Sequence, residues 1–420
     1  MKLSVVIVNY KVPVYLHQCL NSLEVATENI DTEFFVVDNA SNDNSVEFLR
    51  QYHPNVIFIE NKENIGFSKA NNLAIKRAKG EFLLLINPDT IVSEDTVRRC
   101  VDFMSHKPEV GAIGVKQNYA YGMFAPESRR AVPKPVTAFY KFVGLCKRFP
   151  KHRKFGRYYL GFLDKNKTEE IEILSGAFMF IRREAINKVG AFDEDYFMYG
   201  EDIDLSYRIL KGGFKNYYIP TDIIHYKGES THKRTFTYVN NFNRSMVIFF
   251  RKHFKAYSWF LEIPILAAVY LKTIWGIIKV SVLKLFIKNI TDEQIYKSYK
   301  FLLITQHPDS SNALKLLKNN GYSPVVVEAD SDIMDNGHAA LNRNWDDIDF
   351  VVYDTDEFSY KQMIQAFVHQ FEKEGKKKPS LAVYHHDINK IVTYSYIVQD
   401  NNNAVECEKS DDEKEIQNPC

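Results

Sequence analysis

The chain has 420 residues, of which 45% are hydrophobic and 25% are charged, and its formal net charge is +1. This composition is typical of a soluble globular protein, and the length predicts at least two domains. The near-neutral charge argues against a general nucleic-acid binder. The five cysteines show no CxxC spacing, which argues against a disulfide framework and favours a reducing compartment.

The first 105 residues predict an alternation of strands and helices. Buried strands are predicted over LSVVIVN (3–9), EFFVVDNAS (33–41), NVIFIEN (55–61) and EFLLLINPDT (81–90). Helices are predicted after each of them, the third ending at Gly80 and the fourth capped by Ser93. Such an alternation predicts a parallel α/β sheet with helices on both faces.

Polar side chains follow three of these strands at the point where each strand ends. They are Asn9, Asp38 and the turn Asn87-Pro88-Asp89. Because the carboxyl ends of parallel strands meet at one edge of a sheet, we expect these side chains to lie close together. Open α/β sheets bind their ligands at that edge.

The later part of the chain predicts further elements and a division into regions. An aromatic loop, DYFMYG, precedes a predicted helix from about Glu201 to Lys211, and a later apolar run ends at His225. Residues 251–288 are strongly apolar, but lysines interrupt them before an uncharged run reaches the ~18 residues of a spanning helix. We predict four regions: a main domain (1–250), an apolar and basic helical linker (251–298), a small α/β domain (299–398) and an acidic disordered tail (399–420).

The small α/β domain also has polar residues at its predicted strand ends. They are His307, Asp309, Asp330, Asp354, Asp356, His385 and His386. They leave a second binding site open, although no phosphate-binding loop accompanies them.

Seven motifs in the main domain together resemble one family. They are VVIVNYK, VVDNAS, NIGFSKANN, INPDT, LSGAFMFIRR, FMYGEDIDL and HYKGES. In this order and spacing they resemble the family-two glycosyltransferases of the GT-A fold, close to the bacterial rhamnosyltransferase-like branch. The resemblance covers about residues 3–250. It implies a Rossmann-like mixed sheet and the inverting transfer of a sugar from a nucleoside-diphosphate sugar to a saccharide or lipid-linked acceptor in cell-surface polysaccharide assembly.

The resemblance also implies which residues hold the nucleotide. Asp38 would accept a hydrogen bond from the base or the ribose, and Asn9 and Tyr10 would line the same pocket. Gly66 and Asn71 would approach the nucleotide, although a turn followed by a helix start explains both residues equally well.

A divalent cation is the expected cofactor. Asn87 stands where the family commonly has a first acid, so Asp89 is left as the carboxylate that would hold Mg²⁺ or Mn²⁺. His225 either completes the metal shell or is a satisfied polar group at a strand end. Lys227 is a candidate for contact with the diphosphate.

Three acids, Glu201, Asp202 and Asp204, occupy four positions at the start of a predicted helix. A helix N-terminus favours negative charge, which accounts for at least one of them. The resemblance implies that Asp202 is the general base, with Glu201 as the alternative. Helical spacing places Asp204 on a different side from Asp202, where we expect it to face water or the basic stretch between Ser128 and Leu163.

The stretch from Ser128 to Leu163 contains ten Lys or Arg residues and no acid, interleaved with aromatic residues. This pattern favours a membrane surface or a lipid-diphosphate acceptor over nucleic acid. We therefore expect a cytoplasmic enzyme attached peripherally to the inner face of the cytoplasmic membrane. The alternative is a noncatalytic sugar-nucleotide-binding or scaffold protein of a glycan assembly complex.

Overall fold

The structure is a computed structural model that describes residues 1–226, 236–254, 296–341, 345, 347–372 and 378–400. The chain divides into two compact units. The N-terminal unit comprises Met1–Tyr119 and Phe124–Lys288, and the C-terminal unit comprises Ala120–Met123 and Asn289–Cys420. Most of the linker predicted over 251–298, and the tail predicted over 399–420, lie outside the described residues.

The described part of the N-terminal unit contains nine strands in one sheet. The strands are β1 (Leu3–Asn9), β2 (Thr32–Asp38), β3 (Val56–Glu60), β4 (Phe82–Ile86), β5 (Thr90–Val92), β6 (Val110–Asn118), β7 (Glu169–Ile171), β8 (Phe178–Arg182) and β9 (Lys215–His225). The helices are α1 (Pro13–Ala26), α2 (Ser45–Tyr52), α3 (Phe67–Ile75), α4 (Thr96–Ser105), α5 (Pro135–Phe142), α6 (Leu145–Arg148), α7 (Arg183–Val189), α8 (Glu201–Lys211) and α9 (Phe236–His253).

The strand order is β3-β2-β1-β4-β8-β6-β9-β5, with β7 beside β9. The first four strands are parallel, whereas β8 runs antiparallel to both β4 and β6. The sheet is therefore mixed, and the Rossmann-like mixed α/β sheet that the resemblance implies is confirmed.

Apolar side chains cover both faces of this sheet. Leu3, Val5 and Ile7 of β1 join one core cluster together with α1 and α4, and Val6 and Val8 join the opposite cluster together with α3, α7 and α8. Alternate residues of a strand point to opposite faces, so a continuous apolar run such as β1 is buried on both sides. This burial leaves the polar residues at the strand ends as the place where chemistry is possible.

Two local predictions are wrong. Gly80 does not end a helix, because α3 ends at Ile75; a Cβ at Gly80 would lie 2.5 Å from the backbone nitrogen of Ser4, so glycine permits a close approach to β1. Ser93 does not cap α4, which begins at Thr96; its hydroxyl instead bonds Asp95 and Thr96.

The described part of the C-terminal unit contains a six-stranded sheet in the order β11-β10-β12-β13-β14-β15. Its strands are β10 (Phe301–Thr305), β11 (Val325–Glu328), β12 (Phe350–Asp354), β13 (Ser380–His385), β14 (Lys390–Val392) and β15 (Ile397–Val398). Its helices are α10 (Asn312–Asn319), α11 (Ser331–Asn336) and α12 (Tyr360–Glu372). Strands β10 to β13 pair in parallel, whereas β14 and β15 pair antiparallel at one edge of the sheet.

No helix within the described ranges combines the length and the apolar content needed to cross a bilayer.

Candidate active site

A polar cluster lies where β1 and β2 end side by side. Asn9 is opposite Asp38 in the strand register, and both side chains are buried. The Asn9 amide nitrogen donates to Asp38 Oδ1 at 2.7 Å and to Ser41 Oγ at 3.2 Å. Ser41 donates to Asp38 twice, through its hydroxyl at 2.6 Å and its backbone N–H at 3.0 Å. Asp38 is thereby held as a rigid acceptor at the carboxyl edge of the sheet.

The turns that follow these two strands contain residues in the left-handed region of backbone space. Lys11, Ala40 and Asn42 have φ angles of 58°, 62° and 53°. Non-glycine residues adopt this conformation rarely, and they do so most often at sites with a function. Tyr10 is half-buried in the first of these turns, with the Lys11 ammonium 5.8 Å from its ring centre.

A second polar cluster surrounds the Asn87-Pro88-Asp89 turn that follows β4. The short strand β5 pairs with β9 so that Thr90 lies opposite His225. As a result His225 Nε2 is 3.2 Å from Asp89 Oδ1 and 3.4 Å from the Asn87 amide nitrogen. Asp89 and His225 are buried. The sheet thus brings together three side chains that the sequence separates by up to 138 positions.

The chemistry of this donor set fits a divalent cation. A carboxylate, an imidazole and an amide are available at one point, and Mg²⁺ and Mn²⁺ take oxygen ligands while Mn²⁺ also accepts imidazole nitrogen. A single carboxylate leaves room for the oxygens of a phosphate in the same shell. Lys227, the predicted diphosphate contact, lies outside the described residues.

The turn from Ser175 to Ala177 connects this cluster to the start of α8. The Asn87 backbone N–H donates to the Ala177 carbonyl at 3.2 Å. At the other side of the turn, the Gly176 N–H donates to Asp202 Oδ2 at 3.1 Å. A Cβ on Gly176 would lie 3.3 Å from the Asp202 Cβ, so the glycine allows a close approach of the turn to the carboxylate.

Asp202 is surrounded by donors. Arg130 forms an ion pair with Oδ2 at 2.5 Å, and the backbone N–H of Ile203 donates to Oδ1 at 2.8 Å. Together with Gly176, three donors face the side chain, which is the environment of an ionised carboxylate.

Glu201 has a different environment. Its side chain is buried, and its Oε2 has no hydrogen-bond partner among the described residues. Burial, reinforced by the neighbouring negative charge of Asp202, raises the pKa of Glu201 to about 8. Glu201 therefore holds its proton at neutral pH.

Asp204 does not face water, which corrects the sequence-based expectation. It is 1% exposed and accepts from Arg208 Nε at 2.6 Å and from His253 Nε2 at 2.7 Å. Burial alone would raise the pKa of Asp204, but the contacts with His253 and Arg208 outweigh it and lower the pKa. Asp204 is therefore a structural residue that ties α8 to α9.

Gly66 and Asn71 are engaged within the protein. Gly66 has a φ of 84°, and a Cβ there would lie 2.7 Å from the Phe197 carbonyl oxygen, so the aromatic loop before α8 explains the glycine. Asn71 is buried and donates to the Phe67 carbonyl at 2.9 Å. The assignment of both residues to the nucleotide stays a prediction.

Arg130 is the functional candidate that sequence reasoning missed. It was included only in the basic stretch, but its guanidinium reaches Asp202 across 72 positions and also contacts the Leu174 carbonyl. No local pattern signals this pairing, because it depends on the path of the chain between β6 and β7.

Comparison with known proteins agrees with this geometry. Residues 4–190 match the family model Glycosyl transferase family 2. The chain is 29% identical over 259 residues to the Mycobacterium tuberculosis N-acetylglucosaminyl-diphospho-decaprenol L-rhamnosyltransferase, covering 59% of this chain and 83% of that protein. It is 25% identical over 219 residues to the Haloferax volcanii low-salt glycan biosynthesis hexosyltransferase Agl10, covering 49% of this chain and 61% of that protein.

Among solved structures, the chain matches the mannosyltransferase PcManGT of Pyrobaculum calidifontis in complex with GDP-Man and Mn²⁺ at 19% identity and a TM-score of 0.41, covering 67% of this chain and 73% of that one. The matched family region contains the clusters around Asp38 and Asp89 together with Arg130 and the Ser175–Ala177 turn. Residues 4–190 therefore match glycosyltransferase family 2, and over this part of the molecule the chain is similar to a rhamnosyltransferase and a hexosyltransferase.

Proposed function

We propose that the enzyme transfers a sugar from a nucleoside-diphosphate sugar to a saccharide or lipid-linked acceptor in cell-surface polysaccharide assembly, with inversion at the anomeric carbon. One observation carries the proposal. The carboxyl edge of one sheet carries two clusters, the buried hydrogen-bonded cluster around Asp38 and the Asp89–His225 pair. The Asp202 carboxylate is connected to this edge through the Ser175–Ala177 turn.

Donor binding is proposed at the ends of β1 and β2. Asp38 already accepts three hydrogen bonds from the protein, and Oδ2 takes only one of them, from the Ser41 N–H. That oxygen has capacity for a base N–H or a ribose hydroxyl. Asn9 and Ser41 prevent the carboxylate from rotating, so this acceptor is preorganised for the nucleoside. Tyr10 lies in the adjoining turn and would contact the base.

Asp89, His225 and Asn87 are the proposed ligands of Mg²⁺ or Mn²⁺. A bound divalent cation would offset the charge of the donor diphosphate as it leaves. Asp89 and His225 are held 3.2 Å apart by the pairing of β5 with β9, so the two ligands need little rearrangement. Lys227 follows His225 by two positions and remains a proposed phosphate contact.

Asp202 is the proposed general base. The guanidinium of Arg130 and two backbone N–H groups stabilise its negative charge, so it can accept the proton of an acceptor hydroxyl. Glu201, with a pKa of about 8, is mostly protonated at neutral pH and is therefore the poorer base there. Loss of a proton to Asp202 leaves the acceptor oxygen free to attack the anomeric carbon from the side opposite the diphosphate.

The acceptor is proposed to be carried by a lipid at the inner face of the cytoplasmic membrane. The mycobacterial relative is named for a diphospho-decaprenol acceptor, and the basic stretch of this chain suits an anionic lipid surface.

The proposal is tested by a donor screen. Purified protein is incubated with a panel of nucleoside-diphosphate sugars and Mn²⁺ or Mg²⁺, and release of the nucleoside diphosphate is measured. We expect hydrolysis of one or a few donors above background. Asp38→Asn replaces one acceptor oxygen with a donor and should reduce this hydrolysis. A protein that hydrolyses none of the donors would contradict the proposal.

A further inference from the structure

A short helical hairpin in the N-terminal unit exposes an apolar stripe. In α5 and the residue after it, Val136, Phe139, Phe142 and Val143 are 59%, 58%, 40% and 46% exposed. Residues 136, 139 and 143 follow helical i, i+3, i+7 spacing and share one side. This side faces outward, which is the reverse of an ordinary surface helix, whose apolar stripe faces the core.

The polar residues of α5 face inward. Thr137 is buried, and the Lys141 ammonium lies 3.8 Å from the centre of the Tyr158 ring. Burial lowers the pKa of Lys141, but Tyr158 and Tyr159 outweigh it and raise it, so the ammonium remains charged at this inner contact. The orientation of the helix is thus set by specific contacts on its polar side.

The hairpin is braced rather than loosely attached. The Phe155 ring packs edge-on against Tyr140 at 5.1 Å between centroids and stacks on His152 at 4.7 Å. At the base of the hairpin, Arg129 donates to the Leu163 carbonyl at 2.6 Å. The apolar stripe is therefore presented on a defined scaffold.

Exposed cations flank α5 along the chain. Lys134, Lys147, Arg148, Lys151, Arg153 and Lys154 are exposed. No carboxylate of the described residues pairs with them, and the stretch from Ser128 to Leu163 contains no acid. An apolar surface with a cationic rim complements an interface that is apolar inside and anionic at its surface.

We propose that α5 and α6 insert into an anionic bilayer, with Phe139 and Phe142 among the acyl chains and the cations on the lipid headgroups. This inference rests on the proposed function, which supplies the reason for a contact with the membrane, namely a lipid-borne acceptor. Arg130, which forms the ion pair with Asp202, precedes Pro135 of α5 by five residues. Insertion of the hairpin would therefore bring the proposed base close to a lipid-borne acceptor.

Charge argues against two other occupants of the stripe. A second copy of the chain would bring one cationic rim against another. The apolar segment 255–288 of the same chain also carries more lysines than acids, so it does not complement the rim.

The test is co-sedimentation of the full chain with vesicles. Two kinds of vesicle are compared in low salt. One contains phosphatidylcholine alone, and the other contains phosphatidylcholine with about 40% phosphatidylglycerol. We expect binding to the anionic vesicles and little to the neutral ones. Phe139→Ser with Phe142→Ser should weaken binding by about tenfold or more, because two aromatic rings no longer leave water.

A charge variant and a matched control complete the design. Lys147→Gln, Arg148→Gln and Lys151→Gln together should weaken binding by about fivefold per cation. Val25→Ser with Ile57→Ser removes two apolar side chains of similar exposure elsewhere on the unit and should change nothing. Unchanged vesicle binding of the double phenylalanine variant would overturn the proposal. Failure of the wild type to bind anionic vesicles would overturn it as well. So would a double phenylalanine variant that changes only the oligomeric state, measured by sedimentation velocity.

Nucleotide titration of the same variants separates this inference from the proposed function. The vesicle-binding variants should bind nucleoside diphosphate as the wild type does, because the stripe is not part of the donor site. Loss of vesicle binding with normal nucleotide binding supports the inference. A wild type that binds vesicles but no nucleotide would instead contradict the proposed function alone.

Discussion

The two units end their strands with the same residue types but use them differently. In the N-terminal unit, Asp38 bonds Asn9 of the neighbouring strand and Asp89 lies against His225, and all four side chains are buried. In the C-terminal unit the acids mostly serve their own turns. Asp330, for example, caps α11 through the Ile333 N–H at 2.9 Å.

Asp354 of the C-terminal unit also serves its own turn. It is half-buried, accepts from the Asp356 N–H at 3.0 Å, and has its pKa raised to about 6 by burial. Glu357 instead reaches a neighbouring strand, where it accepts from the Thr305 hydroxyl and the Gln306 N–H, both at 2.7 Å, but it is only half-buried. An acid at a strand end thus indicates a site only when the sheet buries it and pairs it with side chains of other strands. The second site that the sequence leaves open in this unit stays a hypothesis.

The largest effect is expected at Asp202. Asp202→Asn keeps the size of the side chain but removes the proton acceptor, so transfer should fall by roughly 10²–10⁴-fold. Nucleotide affinity should be unchanged, since the carboxylate is proposed to face the acceptor. Steady-state kinetics beside a nucleotide titration measure both, with the exposed Glu109→Gln as the control. Turnover near the wild-type rate would place the base elsewhere.

Asp204 sharpens the comparison within a single helix. Asp204→Asn removes the buried partner of both Arg208 and His253, so the free energy of unfolding should fall by roughly 3 kcal/mol. Because the pKa of Asp204 is lowered on folding, this stabilisation is present above the ordinary pKa of an aspartate and is lost as the pH falls. Denaturant titration checks the loss. A rate per folded molecule that drops as much as in Asp202→Asn would contradict the structural role.

Glu201 predicts a pH dependence of opposite sign. Folding raises its pKa from an ordinary 4.5 to about 8, so between these values the folded state holds a proton that the unfolded state has released. Stability therefore decreases as the pH rises through this window. Glu201→Gln should remove the decrease and should be more stable than the wild type above pH ~8, by on the order of a few kcal/mol.

Thermal denaturation of both proteins from acidic to mildly alkaline pH tests this difference. Parallel stability curves for the two proteins would show that the burial of Glu201 has no energetic consequence. If the transfer rate of the wild type rises through pH ~8, and Glu201→Gln has no transfer activity, Glu201 is the base instead of Asp202.

The Asp89–His225 pair is tested by metal removal. EDTA should weaken nucleoside diphosphate binding by about tenfold or more, because the diphosphate then meets Asp89 without a neutralising cation. Asp89→Asn should bind weakly with or without EDTA. Isothermal titration under both conditions measures the effect, and equal wild-type affinities would exclude a metal requirement for donor binding.

The smallest effect is expected at a strand end of the C-terminal unit. Asp356 is exposed, and His386 Nδ1 lies 3.9 Å from its carboxylate. Asp356→Asn should change the free energy of unfolding by less than about 0.5 kcal/mol and leave transfer unaltered. A clear loss of transfer in this variant would break the comparison and would indicate a working site in the second unit.

Local pattern was sufficient for much of the fold. The ends of β1 at Asn9 and β2 at Asp38, and the bounds of α8 at Glu201 and Lys211, coincide with those predicted, because apolar periodicity and chain-breaking residues act over a few positions. The motifs that resemble family-two glycosyltransferases agree with the family match of residues 4–190 for the same reason: each is a short segment whose chemistry is visible in its own residues. Where a signal was ambiguous, as at Gly80 and Ser93, the error was one of local detail.

Contacts between distant segments were decided only by the tertiary structure. The pairing of Arg130 with Asp202, the approach of His225 to Asp89 and the burial of Asp204 depend on strand register and loop path across dozens of residues. Burial then determines how much each charge costs, and at Glu201 it raises the pKa to about 8. A one-dimensional pattern reports which side chains are acidic; the solvent excluded around each one, and the partner opposite it, exist only in the folded chain.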